Sequence, residues 1–272
     1  MFPAFYGSFY GRMTGSTFYK DYRDAGYIIG QALNFCSREV VDMYTGTRYE
    51  YWDWVNFDHE LVSLFCDTNF SKYDQPIEAP CKMTRRCLYG KDTVEYSLEY
   101  ILQFFNKYKD EPKIFKFDSI DAHEGSTEVI KYSDDHFVKF FETFEKEGFL
   151  NDTLVIIHTD HGVSMPGPYS VLGAEDWNHE VLLPVLFMLV PTNIEKYEEL
   201  RDTLKHNEQI IVTPFTIYNS MKSLLGREYR KSMIDQTSLF SEKLSKGRDC
   251  QVFNDKEYYK EQGPMECRCS NK

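Results

Sequence analysis

Residues 153–162 read Thr-Leu-Val-Ile-Ile-His-Thr-Asp-His-Gly, an apolar run that ends in polar residues. Its apolar, β-branched beginning is typical of a strand that is buried on both faces, as in a parallel sheet. Leu182 to Val190 is a second such run, and Lys113 to Phe117 is a shorter predicted strand. Helical patterns alternate with these strands. The sequence therefore predicts an α/β fold with a mainly parallel sheet flanked by helices.

Three helices are predicted from the residues at their ends. Asp92 caps a helix that runs to about Tyr108. Ser133 caps the next helix, and Gly148 follows it where a left-handed residue is expected. Thr213-Pro214 opens the third helix, which Gly226 ends. Apolar residues recur at helical spacing in all three: Val94, Leu98, Ile101, Leu102 and Phe105; Phe137, Phe140, Phe141 and Phe144; Phe215, Tyr218, Met221, Leu224 and Leu225.

Side chains that can ligate a metal follow two of the predicted strands. Asp160 and His161 come directly after one strand, and Gly162 permits a tight turn there. Because sites in α/β sheets form at the carboxyl ends of strands, we expect these groups to meet at one edge of the sheet. The candidate ligands are Asp160, His161, Asp118, Asp121, His123 and His179. Carboxylate and imidazole together favour Zn²⁺ or a mixed divalent site.

Structural alternatives exist for several of these residues. Asp118 and Asp121 are also interpretable as turn residues that hydrogen-bond their own backbone. His179 by itself favours a role other than metal ligation. His158 lies inside the predicted buried strand and is interpreted as a core histidine rather than a functional one.

Composition excludes some partners and favours one compartment. The 272 residues carry a net charge of −12, which is unfavourable for a protein that binds a phosphate backbone, so no nucleic acid partner is expected. The longest apolar stretch, Leu182 to Pro191, is about half of a membrane span. Seven cysteines and two sequons, at Asn69 and Asn151, favour the secretory pathway or the extracellular space. The first residues lack the apolar segment of a signal peptide, so no signal or anchor is expected in this sequence.

The chain is organised as one α/β domain with an appendage. The domain is predicted over residues 1–244, and it includes an irregular, cysteine-rich loop region at about 36–90. Residues 245–272 are polar and hold three cysteines, which indicates a separate C-terminal appendage.

Residues 149–162 resemble the "NTLVIFTSDHG" signature of the sulfatase and alkaline phosphatase superfamily. Over nearly its whole length the chain resembles the sulfatase-like family called domain of unknown function 229. Short matches follow that family's order: Phe2-Pro3-Ala4, Asp24 to Tyr27, Glu180 to Pro184, Val212 to Phe215, and Thr237 to Phe240.

The resemblance implies hydrolysis of phosphate or sulfate esters by a hydroxyl or formylglycine nucleophile with one or two divalent metals. It implies that Asp160, His161 and His123 are metal ligands, with Asp118 as the best neighbouring carboxylate and Asp121 second. Met1 stands at the position of the family's nucleophile, so no catalytic residue is assigned and the fold is expected to be incomplete at its N-terminus.

The expected function is therefore that of a sulfatase-like protein with a residual Zn²⁺ or Ca²⁺ site. Its expected partner is a small-molecule or glycan phosphate or sulfate ester, and this chain by itself is expected to be inactive. The alternative is a non-catalytic extracellular binding protein that keeps the residual metal site. An intact enzyme with an unrecognised nucleophile is a third hypothesis.

Overall fold

The computed structural model describes residues 18–35, 57–61, 64–66, 86–122, 128–162, 184–226 and 236–248. The contacts of the chain divide into two compact units. One unit lies within Tyr19–Val190, and the other takes in Phe18 and the residues from Pro191 onwards. The predicted appendage at 245–272 is described only as far as residue 248.

The Tyr19–Val190 unit contains a small parallel sheet. Its central strand is β1 (Ile28–Leu33), which lies between β2 (His59–Leu61) and a strand at Lys113–Asp118. Both neighbours run parallel to β1, and Ile28 to Leu33 pair residue by residue with Lys113 to Asp118. The predicted α/β character and the strand at Lys113 are confirmed.

The other elements of this unit are short hairpin strands, helices and 3₁₀ turns. β3 (Cys87–Leu88) and β4 (Lys91–Asp92) form an antiparallel hairpin. The strand at Lys113–Asp118 is β5. The helices are α1 (Phe18–Asp24), α2 (Thr93–Lys107) and α3 (Asp134–Lys146), and the 3₁₀ turns are Leu64–Cys66, Val129–Ser133 and Phe149–Asn151.

Residues close to the helix ends determine where α2 begins and where α3 ends. The Asp92 carboxylate accepts the backbone N–H of Val94 at 3.0 Å, which satisfies one of the free donors at the start of α2. Gly148, two residues after α3, has a φ of +83°, a conformation that glycine adopts without steric cost. Both predictions are confirmed.

The core of the unit consists of apolar side chains from α2 and α3. Its buried members are Val94, Leu98, Ile101, Phe104, Phe105, Phe140, Phe144 and Phe149. Ile28, Phe115 and Phe117 of the parallel sheet and Val155 pack against this cluster. Each buried aliphatic or aromatic side chain contributes about 2 kcal/mol by its removal from water. The core therefore holds the sheet strands and the chain at residue 155 against the same pair of helices.

Each of the two predicted apolar strands is present in its described part, but the surroundings differ from the prediction. β6 (Val155–His158) pairs with β7 (Leu186–Leu189), and the two strands are antiparallel. Among the described residues, no ladder joins β6 to β5. Ile157 is 42% exposed and Phe187 is 64% exposed, so the predicted burial on both faces is wrong. An apolar run in a sequence does not show whether one face or both faces of the strand are buried. The two strands bury one face more than the other, as an antiparallel pair can.

The second unit contains α4 (Tyr197–Asn207) and α5 (Pro214–Ser223). Thr213 caps α5, where Thr213 and Thr216 bond each other's backbone N–H groups and Pro214 occupies the first turn. The cap and the left-handed Gly226 confirm the prediction. The predicted apolar face is confirmed only in part: Phe215, Tyr218, Met221 and Leu225 are half-buried, and Leu224 is exposed. The fully buried residues of α5 are Thr216, Ile217, Asn219, Ser220 and Lys222. The polar members bond to chain segments distant in sequence, for example Ser220 to Leu239.

Candidate metal centre

Asp160 and His161 follow β6 directly, as the sequence predicts, and their polar atoms converge. The backbone N–H of His161 donates to Oδ1 of Asp160 at 3.0 Å, which fixes the carboxylate over the turn. The imidazole Nδ1 lies 2.6 Å from the carbonyl oxygen of Gly162. Because a carbonyl only accepts, Nδ1 carries a proton, and in the neutral ring Nε2 keeps its lone pair. That Nε2 lies 3.4 Å from Oδ2 of Asp160.

The separation of these two atoms fits joint coordination of one cation. Two ligand atoms at Zn–N and Zn–O distances of about 2.0–2.1 Å in a tetrahedral site lie about 3.3 Å apart. The bond from Nδ1 to a carbonyl is also the kind of second contact that orients a metal-bound histidine. Both side chains are accessible, since 53% of Asp160 and 36% of His161 are exposed.

Asp118 is the last residue of β5, and its carboxylate is paired with a lysine. Nζ of Lys116 lies 2.5 Å from Oδ2 of Asp118. Residues two apart on a strand project from the same face, which explains why the two side chains meet. About a third or less of each side chain is exposed, so this ion pair is partly shielded from water.

His158, the last residue of β6, lies within the electrostatic field of these groups. It is half-buried, and burial lowers the pKa of its imidazole below the ordinary value of 6.5. The Asp118 and Asp160 carboxylates act in the opposite direction, and Lys116 adds to the lowering. His158 therefore interacts with charges from both β5 and the turn after β6, and it is more than a residue of the apolar core.

Asp121 occupies a different environment from Asp160. Its side chain is buried, Oδ1 accepts a hydrogen bond from Nδ2 of Asn34 at 3.1 Å, and Oδ1 also forms an ion pair with Nη1 of Arg86 at 3.1 Å. Oδ2 accepts from the hydroxyl of Ser133. Ser133 therefore does not cap α3, contrary to the prediction, because its hydroxyl is bonded to Asp121.

Arg86 links this carboxylate to the start of α2. Its Nε and Nη2 donate to Oδ2 of Asp92 at 3.1 and 2.8 Å, and Nη2 also donates to Ser133 at 3.1 Å. Paired in this way, Asp121 fits the structural alternative better than metal ligation, although its bonds are to distant side chains and not only to its own turn.

Only some of the predicted metal ligands lie among the described residues. His123 and His179 lie outside the described residues. Within the described ranges, no group of three or more His, Cys, Asp or Glu side chains lies close enough together to hold a metal ion. Asp160 and His161 thus fit two positions of a metal's coordination. The charges of Asp118 and Asp160 both act on the imidazole of His158.

Sequence reasoning missed Lys116 and Arg86. The alternation of strand side chains is a signal that could have paired Lys116 with Asp118. No local signal pairs Arg86 with Asp121, because the two residues are far apart in the chain and meet only through the packing of α2 and α3.

The fold and site define the class of the molecule: an α/β protein with carboxylate and imidazole groups at the ends of β5 and β6. The sequence profile of the family described as protein of unknown function (DUF229) matches residues 66–252. The chain belongs to this family. No curated protein matches the sequence. In the part of the chain that the structure describes, no helix is both long enough and apolar enough to cross a membrane.

Proposed function

We propose that this chain is a sulfatase-like protein, related to metal-dependent hydrolases of phosphate or sulfate esters, and that Asp160 and His161 hold a divalent cation. The observation that carries the proposal is the 3.4 Å separation of Oδ2 and Nε2, with Nδ1 bonded to the Gly162 carbonyl. One carboxylate oxygen and one imidazole nitrogen favour Zn²⁺ over Ca²⁺, which prefers oxygen ligands alone.

The chain's own residues give the site an anionic character. Asp118 and Asp160 contribute two carboxylates, Lys116 contributes one positive charge, and the lowered pKa of His158 favours its neutral form. A bound divalent cation would polarise the oxygens of a phosphate or sulfate ester. His161, oriented by the Gly162 carbonyl, and Asp160 would hold that cation, and the ester group of a small molecule or glycan is the proposed ligand.

The pairing of acidic residues with cations of the chain itself favours the second candidate, a non-catalytic binding protein with a residual metal site. Lys116 neutralises Asp118 and Arg86 neutralises Asp121, so fewer carboxylates are available to a metal. The resemblance implies that Met1 stands at the position of the family's nucleophile, and methionine has no hydroxyl. We therefore expect no turnover of aryl phosphate or aryl sulfate by this chain.

The experiment that tests the cation site is a calorimetric titration of the chain with Zn²⁺. We expect weak binding that Asp160→Ala and His161→Asn both abolish. Asp152→Ala is the matched control, because Asp152 is an exposed carboxylate just before β6 and bonds to Thr153. Unchanged Zn²⁺ binding in Asp160→Ala would refute the site. Metal-dependent turnover of either ester would refute the non-catalytic candidate.

A further inference from the structure

Thr159 lies between β6 and the turn at residues 160–162, which carries the proposed cation ligands. It pairs with Val185 in continuation of the antiparallel register of β6 and β7. The backbone N–H of Thr159 donates to the Val185 carbonyl at 3.1 Å, and the backbone N–H of Val185 donates to the Thr159 hydroxyl at 3.0 Å. Two hydrogen bonds therefore hold the residue that directly precedes Asp160.

The Thr159 hydroxyl occupies a place that the backbone holds in a regular ladder. Where two residues of antiparallel strands form a hydrogen-bonded pair, each N–H donates to the carbonyl of the other residue. Here the acceptor of the Val185 N–H is the side-chain hydroxyl of Thr159. The ladder thus ends on a side chain, and the chain bends at Asp160 and again at Gly162.

We propose that Thr159 is a positioning residue of the cation site, and that its hydroxyl sets where β6 ends and the ligand-bearing turn begins. This inference rests on the proposed function, since it concerns the cation that Asp160 and His161 would hold. The pair of Thr159 and Val185 anchors the turn at its start. Within the turn, the N–H of His161 donates to Asp160, so a shift at Thr159 is passed on to both ligands.

Thr159→Val tests the hydroxyl, because valine keeps the β-branched shape and lacks the acceptor. The Val185 N–H is then free to bond the carbonyl of residue 159, as in a regular ladder, which extends β6 towards Asp160. Groups that orient metal ligands without touching the metal typically change metal affinity by about 10–100-fold. We therefore expect Thr159→Val to weaken Zn²⁺ binding about tenfold. The temperature of unfolding should change little, because Thr159 and Val185 are exposed and water replaces the lost bond.

The test is a calorimetric Zn²⁺ titration of the full chain and its variants, with thermal unfolding of each variant measured without metal. Thr159→Ser keeps a hydroxyl and is expected to bind Zn²⁺ like the wild type. Thr153→Val is the matched control. It makes the same substitution just before the other end of β6, where the hydroxyl donates to Asp152 at 3.2 Å. A role in stability alone would lower the temperature of unfolding and leave Zn²⁺ affinity unchanged.

Val185→Pro removes the donor of the same bond and keeps the Thr159 hydroxyl, since proline has no N–H and is tolerated at the first residue of a strand. We expect it to weaken Zn²⁺ binding about as much as Thr159→Val does. The double variant should lose no more affinity than either single variant, because both changes remove one and the same bond.

The outcomes distinguish this inference from the proposed function. If Asp160→Ala abolishes Zn²⁺ binding but Thr159→Val binds like Thr153→Val, Thr159 does not position the ligands and the inference fails alone. If Asp160→Ala leaves binding unchanged, the cation site fails and the inference fails with it. If Thr159→Val does not fold, Val185→Pro decides: wild-type affinity refutes the inference, and weaker binding supports it. Weaker binding in Thr159→Val, with wild-type binding in Thr159→Ser and Thr153→Val, supports both proposals.

Discussion

Gly30 in β1 lies against the rings of Phe115 and Phe104, which leave no room for a side chain. A Cβ atom built on it would lie 2.3 Å from Cδ2 of Phe115 and 3.1 Å from Cε2 of Phe104. Both rings belong to or pack against the core, so neither has free space to move into. The absence of a side chain at this position of β1 is therefore what allows Phe115 to lie across the strand.

We predict that Gly30→Ala destabilises the protein by about 2 kcal/mol, because overpacking displaces a core ring. Chemical unfolding followed by circular dichroism measures the change. Gly247→Ala is the control for the substitution itself, since the nearest atom to its Cβ is 3.9 Å away. Phe115→Leu in the Gly30→Ala background should recover part of the loss. Equal stability of Gly30→Ala and the wild type would show that the rings can yield.

The half-buried His158 is expected to make the stability of the fold depend on pH. Burial lowers the pKa of its imidazole in the folded state below the ordinary 6.5. The unfolded chain therefore binds this proton more readily than the folded chain, and stability falls as the pH drops through about 6.5. We predict that the wild type loses more stability between about pH 7.5 and 5.5 than His158→Gln. Thermal unfolding at both pH values measures the difference, and identical pH profiles would contradict it.

Among the elements of the fold, Arg86 connects three chain segments through hydrogen bonds and ion pairs. Its guanidinium binds Asp92 at the start of α2, Asp121 after β5, and Ser133 before α3. Only 14% of the Arg86 side chain and 2% of Asp121 are exposed. A carboxylate in such a place is tolerated because it is paired and hydrogen-bonded.

We predict that Arg86→Met costs about 3–5 kcal/mol, because it leaves the Asp121 charge buried without its partner. Asp121→Asn in the same chain should recover part of that loss, so the double variant should cost less than the sum of the single variants. Lys131→Met is the control, since the Lys131–Glu128 pair is largely exposed and contributes less than about 1 kcal/mol. Chemical unfolding measures the stability of the two single variants, the double variant and the Lys131→Met control. If the losses of Arg86→Met and Asp121→Asn add up in the double variant, the coupling between Arg86 and Asp121 is refuted.

The features that were predicted correctly from the sequence are those that depend on neighbouring residues in the chain. The cap at Asp92, the Thr213-Pro214 start and the left-handed Gly148 are fixed within a few residues of chain. What it missed depends on distant partners. The hydroxyl of Ser133 bonds Asp121 instead of a helix N–H, and the strand at Leu186 runs antiparallel. No pattern in a short window reports which distant group a polar side chain or strand edge meets.

The same limit applies to the candidate site. Asp160 and His161 are adjacent in sequence, so one turn brings their side chains together. Asp118 and Asp121 lie three residues apart, yet one borders the solvent beside Lys116 and the other is buried against Arg86. Spacing alone does not separate these two environments, because both cations come from outside the Asp-Ser-Ile-Asp segment.

For the whole molecule, the cysteines report on the compartment. The chain has seven, so at least one cannot enter a disulfide within the chain. Cys87 in the β3–β4 hairpin is a free, exposed cysteine. A secreted protein forms disulfides in an oxidising environment, whereas a cytosolic protein keeps its thiols reduced. The extracellular or secretory location that the sequence favours therefore predicts how many cysteines of the unreduced chain can be alkylated.

We predict that alkylation of this 272-residue chain, expressed through a secretory pathway, denatured and left unreduced, tags an odd number of cysteines smaller than seven, with Cys87 among them. Intact-mass spectrometry counts the tags, and the count should rise to seven after reduction. Cys87→Ser should lower the count before reduction by one. Seven tags without reduction would refute the disulfides that a secretory location predicts for this chain. An even count would show a bond to another molecule, because disulfides within one chain remove thiols in pairs.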